Sequence, residues 1–175
     1  SVIYLGRDVH QAGHVLNGDS ATAGLYRSIN GGVSFNKVNM VLPGRGISGA
    51  PDKIELDARN NLWVSTKNNA LSNYYQTGGG IYFSSNGTSF SLKYKHKSKS
   101  RHCVLSCAPT GKDTLYALIG GTSTIQQIIR SYDHGNNWDT LTLPVDADTG
   151  IDNEFTRRQA WYNLTIAIHP KNAKE

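Results

Sequence analysis

Residues 129–138 read Ile129-Arg130-Ser131-Tyr132-Asp133-His134-Gly135-Asn136-Asn137-Trp138, and their arrangement occurs twice earlier in the chain. The first copy is Leu25-Tyr26-Arg27-Ser28-Ile29-Asn30-Gly31-Gly32-Val33-Ser34-Phe35. The second, one residue shorter, is Ile81-Tyr82-Phe83-Ser84-Ser85-Asn86-Gly87-Thr88-Ser89-Phe90. In each, an apolar run leads to Ser, then Asn or Asp, then Gly, then an aromatic. A β-hairpin accounts for this order. Gly accepts the positive φ of a tight turn. An Asn or Asp side chain bonds nearby backbone N–H groups and locks the turn. The closing aromatic packs beneath it.

Working outward, further strands appear at even intervals. Ile54 to Ala58 alternates in polarity, and Leu62 to Thr66 follows a turn at Asn60-Asn61. The strand Gly80 to Ser84, the turn, and Phe90 to Tyr94 complete a set of four. The set recurs as Cys103–Ala108, Leu115–Ile119, Gln127–Ser131 and Trp138–Leu143. No helical period competes with this pattern. Four-stranded antiparallel units of this length are propeller blades, so the expected fold is all-β, a partial β-propeller of about three blades. The expected division is an incomplete blade (its second to fourth strands) at 1–42 and full blades at 43–95 and 96–145. An inter-blade loop and the first strand of a next blade, Trp161 to His169, occupy 146–175. Three blades cannot close a ring that ordinarily needs four to eight. The 175 residues therefore read as a fragment of a seven- or more-bladed propeller. The start at Ser1, without Met or a signal-peptide pattern, fits a beginning inside a longer protein or after processing.

The turns resemble the Asp-box, or BNR, repeat, whose pattern is Ser-x-Asp-x-Gly-x-Thr-Trp. Ser131, Asp133, Gly135 and Trp138 match it best, with Asn137 in place of Thr. Ser28, Asn30, Gly32 and Phe35 match with two replacements, and Ser84, Asn86, Gly87 and Phe90 with a deletion. The closing stretch Gln159-Ala160-Trp161-Tyr162-Asn163-Leu164-Thr165-Ile166-Ala167-Ile168-His169-Pro170 is similar to a strand of large secreted Bacteroidetes propellers, which often carry a type IX secretion sorting domain. The resemblance implies an extracellular or cell-surface protein related to sialidases, xyloglucanase-type glycoside hydrolases and sortilin-like receptors. It implies a fold more firmly than a function, because the box is a structural device.

Three functions follow as expectations. The first is a binding or interaction role toward carbohydrate or a surface protein. The second is a fragment of a glycoside hydrolase. The third is a structural spacer of a large adhesin or gliding-type surface protein. The hydrolase needs two carboxylates across a cleft or a Tyr nucleophile. The local candidates are Asp8, Asp52 and Asp152, each also explicable as a turn residue, and the Arg-Ile-Pro element of sialidases is absent. In the resembled fold the boxes project from one face. Ligands bind at the other face, on the loops here numbered 8–24, 39–52, 67–80, 93–102, 120–126 and 144–160.

Candidate binding residues are Arg101, His102, Arg157 and Arg158 on those loops, and Trp161 and Tyr162 where the chain enters the following inner strand. Lys93, Lys95, Lys97, Lys99 and Arg101 all fall at odd positions, so an extended backbone would place them on one face. That stripe reads either as a site for an acidic polysaccharide or as protection of an exposed edge strand. Asp146, Asp148, Asp152 and Glu154 alternate around Gly150 and would suit Ca²⁺, a hard cation, or form a solvated acidic loop. No cofactor is otherwise required. His134, inside a turn, is expected to be exposed. Cys103 and Cys107 fall about 13 Å apart if extended, too far to bridge, and read as buried thiols on one strand face with Leu105. A net charge of +5 is no nucleic-acid signature by itself, and the basic patch is short and has no interleaved stacking aromatic beyond Tyr94, which argues against nucleic acid. No stretch has the roughly 18 apolar residues of a membrane span. Partners are then the remaining blades, or a second copy closing the ring.

Overall fold

The computed structural model describes residues 1–7, 23–40, 50–67, 79–97, 100–110, 113–147 and 155–172. Among them the chain is all-β and forms no helix. The strands are β1 (Ile3–Arg7), β2 (Gly24–Ser28), β3 (Asn36–Lys37), β4 (Ala50–Leu56), β5 (Leu62–Lys67), β6 (Gly80–Ser84), β7 (Ser91–Lys95), β8 (His102–Cys107), β9 (Leu115–Gly120), β10 (Ile125–Ser131) and β11 (Asp139–Leu141). They make three antiparallel meanders, β1-β2-β3, β4-β5-β6-β7 and β8-β9-β10-β11, and no sheet closes on itself.

The sheets stack face to face, and side-chain alternation assigns each residue to an interface. On the middle sheet, Leu62, Val64 and Tyr82 face the first sheet and bury Leu25, Val38 and Met40 there. Their neighbours Trp63 and Ile81 face the other way, onto Cys103, Leu105, Leu115, Ala117, Ile119 and Ile129 of the third sheet. The far face of the third sheet carries Val104, Leu118 and Ile128 and receives Ala160, Leu164 and Ile166 from the C-terminal segment.

One register repeats in all three sheets. The Ser that opens each turn lies opposite an apolar residue of the preceding strand: Ser28 opposite Ile3, Ser84 opposite Leu62, Ser131 opposite Leu115. Tyr4, Trp63 and Tyr116 therefore occupy equivalent positions. Differences from the sequence reading are local. β4 begins at Ala50, four residues before Ile54, and a bulge between Pro51 and Lys53 interrupts its ladder with β5. Trp161 to His169 joins no ladder: residues 160–162 form a turn and 163–169 lie over the third sheet as irregular chain.

Candidate functional site

The two ends of the stack are chemically different. At one end stand the three Ser-containing turns. In each, the Ser hydroxyl accepts from the Gly N–H, at 2.9 Å for Gly32, 2.8 Å for Gly87 and 2.9 Å for Gly135. The same hydroxyl donates to the Asn30, Asn86 or Asp133 side chain. That side-chain oxygen then accepts from backbone N–H groups further round the turn: Ser34, Thr88 and Ser89, or Asn136 and Asn137. All three Ser are buried. The bonds from Asn137 and Ser131 hold Asp133 down to about 2. Gly32, Gly87 and Gly135 all have positive φ. Of the closing aromatics, Trp138 donates from Nε1 to the Gly135 carbonyl, Phe90 packs at the edge of the first interface, and Phe35 is exposed.

The turns also lock one sheet to the next. The Tyr4 hydroxyl donates to the Gly87 carbonyl at 3.1 Å, and Gly135 lies so close to the Trp63 ring that a Cβ would stand 2.9 Å from it. His134, read as exposed, is not. It has positive φ, sits edge-on to both Trp63 and Phe83, and its Nε2 lies 2.9 Å from Asp57 Oδ2 in the β4–β5 turn. Burial pushes the Asp57 carboxyl up, yet bonds from His134, Asn61 and Trp63 outweigh it and hold Asp57 well below the usual carboxylate range. This carboxylate is an inter-sheet tie, and the sequence offered no sign of it beyond a turn Asp.

At the opposite end, where β4 and β8 begin and β5 and β9 finish, lies a cavity of about 510 Å³. It is lined by Asp52, Lys67, Arg101, His102, Thr122, Trp161 and Tyr162. Asp52 is the residue at the β4 bulge, a device that re-aims a side chain. Its Oδ2 accepts from the Cys103 backbone N–H and lies 2.9 Å from His102 Nδ1. Asp52 and His102 thus fix each other at the mouth of the second interface. Arg101 is placed by its backbone N–H, which donates to Gly120. Trp161 and Tyr162 come from the turn after Thr156, pinned by Ala160 N–H to the Ser123 carbonyl. Their ring centroids are 4.1 Å apart at 60°, and each is about half exposed. A Cβ at Gly120 would stand 2.2 Å from the Ala160 carbonyl oxygen, so the turn can seat there only over glycine.

Next to this end, His96 is buried, with Nδ1 2.6 Å from Ser100 Oγ. Burial pushes its imidazole down to about 4, against the opposing pull of Asp52. Of the basic stripe of 93–101, Lys99 lies outside the described residues, and the rest is divided. β7 ends at Lys95, His96 turns inward, and Arg101 goes to the cavity. β7 is the edge strand of its sheet, where Lys93 donates to Asn136 Oδ1 and lies over the Phe83 ring.

The cavity brings together Arg101, His102, Trp161 and Tyr162, with Asp52 from the separate list of carboxylates. Arg157 and Arg158 are exposed, adopt positive φ in the preceding turn, and do not line it. Lys67 and Thr122 were missed. Lys67 ends β5 and Thr122 lies in the bend between β9 and β10, and neither carries a pattern of its own. Asp8, Asp148, Asp152 and Glu154 lie outside the described residues, so of the Ca²⁺ loop only Asp146 is placed. Among the described residues no three His, Cys, Asp or Glu side chains are grouped to hold a metal ion. Burial pushes both Cys103 and Cys107 thiols up, so neither is an activated nucleophile. No helix of the described residues is long and apolar enough to cross a membrane. No family model matches the chain, and no curated protein matches it.

Proposed function

We propose that the three sheets are blades of an Asp-box propeller, part of a secreted or cell-surface protein, whose face opposite the boxes binds carbohydrate. The observation that carries this reading is the cavity in which Trp161 and Tyr162 stand beside Lys67, Arg101, His102 and Asp52. A pair of tilted, half-exposed aromatic rings offers apolar faces to the C–H side of a sugar ring, while polar groups at the rim fix orientation. Three basic side chains outnumber one carboxylate, and that carboxylate is already engaged by His102 and Cys103. The balance favours a sugar bearing a carboxylate or sulfate, which Arg101 can grip in a bidentate fork. The propeller reading is supported by the three turns, which share register and bonding.

The test is a glycan array of neutral and acidic oligosaccharides, with release of reducing ends followed in parallel. Retention of acidic glycans without turnover is the expected result. Failure to retain any acidic glycan contradicts the binding role. Sugar release would transfer the site to the glycoside hydrolase reading, with Asp52 as its first carboxylate.

A further inference from the structure

Among the described residues, two Asp–His pairs join the middle sheet to the third, and they differ in what surrounds them. Asp57 and His134 meet beside a space with room for about 10 Å³, too small for a ligand. Asp52 and His102 both line the cavity of about 510 Å³. The second pair is therefore the one a ligand can touch.

The contact with Asp52 fixes how His102 presents itself. Asp52 Oδ2 accepts from the Cys103 backbone N–H and lies 2.9 Å from His102 Nδ1. A carboxylate only accepts, so Nδ1 carries the hydrogen of this contact. The neutral ring then has its lone pair on Nε2. His102 is further placed by its position in β8, opposite Gly120. The His102 and Asp52 side chains are only 18% and 9% exposed. The nitrogen that the pair leaves for a ligand is Nε2, a preorganised acceptor on the cavity wall.

The rest of the wall is rich in donors. Arg101 and Lys67 only donate, as does Trp161 Nε1, and the Thr122 and Tyr162 hydroxyls do either. A bare anion such as sulfate answers Arg101 and Lys67. It has no hydrogen for His102 Nε2, which it would leave unpaired in a largely covered place. A sugar acid answers both kinds of group. Its carboxylate suits Arg101, a ring O–H suits Nε2, and its C–H face suits the Trp161–Tyr162 pair.

We propose that His102 Nε2 accepts a hydrogen bond from a ring hydroxyl of the acidic sugar, so that the cavity takes glycans bearing both an anionic group and a free hydroxyl and excludes anions that lack the hydroxyl. This rests on the carbohydrate reading of the cavity given above and adds a second recognised group to it. His102 is then the residue that sets specificity, and Asp52 is a positioning residue that acts through it. A site built to bond a hydroxyl rejects the analogue without it, because its own polar group is left without a partner.

The experiment is a set of NMR titrations of the full chain with the methyl glycosides of glucuronic and galacturonic acid, their monodeoxy forms, each lacking one ring hydroxyl, and inorganic sulfate. In the wild type, one monodeoxy form is expected to bind about tenfold or more weakly than its parent, and sulfate at least as weakly as that form. His102→Asn keeps an N–H to donate to Asp52 but has no counterpart of Nε2. In that variant the parent sugar should lose about tenfold, and the penalty for the missing hydroxyl should shrink to about twofold or less. The penalty is a ratio within one protein, so a variant that is partly unfolded still reports it. Equal binding of parent and all monodeoxy forms by the wild type overturns the proposal and leaves the carbohydrate reading in place. A penalty unchanged in His102→Asn does the same. Sulfate bound as tightly as the sugar acids also overturns the proposal. Absence of binding by every sugar acid overturns the carbohydrate reading along with it.

Discussion

The two ends of the sheet stack follow different rules. At the turn end, three sets of residues repeat one hydrogen-bond scheme, and two of the turns meet the neighbouring sheet through their glycine, Gly87 at Tyr4 and Gly135 at Trp63, with the Asp57–His134 pair beside them. At the cavity end nothing repeats. Asp52 comes from a bulge, Arg101 and His102 from the start of β8, Lys67 from the end of β5, and Trp161 and Tyr162 from a turn. At the repeated end, the space among the described residues near Asp57 and His134 has room for about 10 Å³. The lesson is a division of labour: regularity holds the sheets together, and the irregular end is where a ligand can be recognised.

The sharpest way to break this comparison is at the inter-sheet lock. Trp63→Ala removes a fully buried ring that touches Phe83, His134 and Gly135, and should cost about 3–5 kcal/mol of stability in a urea titration. Acid should find the second weak point. His96 is neutral in the fold and titrates near 4, whereas the unfolded chain takes up its proton near 6.5. Stability from this group is complete above about 6.5 and is lost as pH falls toward 4, by roughly 3 kcal/mol. The difference in urea midpoint between wild type and His96→Gln, taken at pH 7 and pH 4.5, isolates it. Ser131→Ala strands the Gly135 N–H and should cost about 1–3 kcal/mol. If glycan affinity, measured on the folded fraction, fell with it, the two ends would not be independent. The smallest stability effect is expected for Trp161→Ala, within about 0.5 kcal/mol because the ring is half exposed. That variant should nevertheless lose about tenfold or more in glycan affinity.

How much of this was legible in the sequence divides along the same line. Strand and turn positions could be read because hairpin chemistry is local: Ser131, Asp133 and Gly135 dictate their own geometry within five residues. The cavity residues were named singly, but their meeting was not legible. Asp52 and His102 are fifty positions apart, and only the stacking of β4 against β8 joins them. Lys67 and Thr122 gave no signal because a lysine at a strand end and a threonine in a short bend are ordinary. Asp57 and His134 were opaque for the same reason, since their tie spans two sheets. Trp161 to His169 shows the converse. It was read as the first strand of a next blade, and its side chains do alternate from Asn163 to His169, but among the described residues it joins no ladder.

The central claim is that the irregular end binds an acidic sugar through Arg101 and the Trp161–Tyr162 pair. Its most direct test is a calorimetric titration of wild type, Arg101→Ala, Trp161→Ala and the double variant with one acidic oligosaccharide retained on the array, at two salt concentrations. The account predicts saturable binding, a loss of about tenfold or more in each single variant, and a salt dependence that disappears with Arg101. Wild-type affinity retained in both single variants would contradict it.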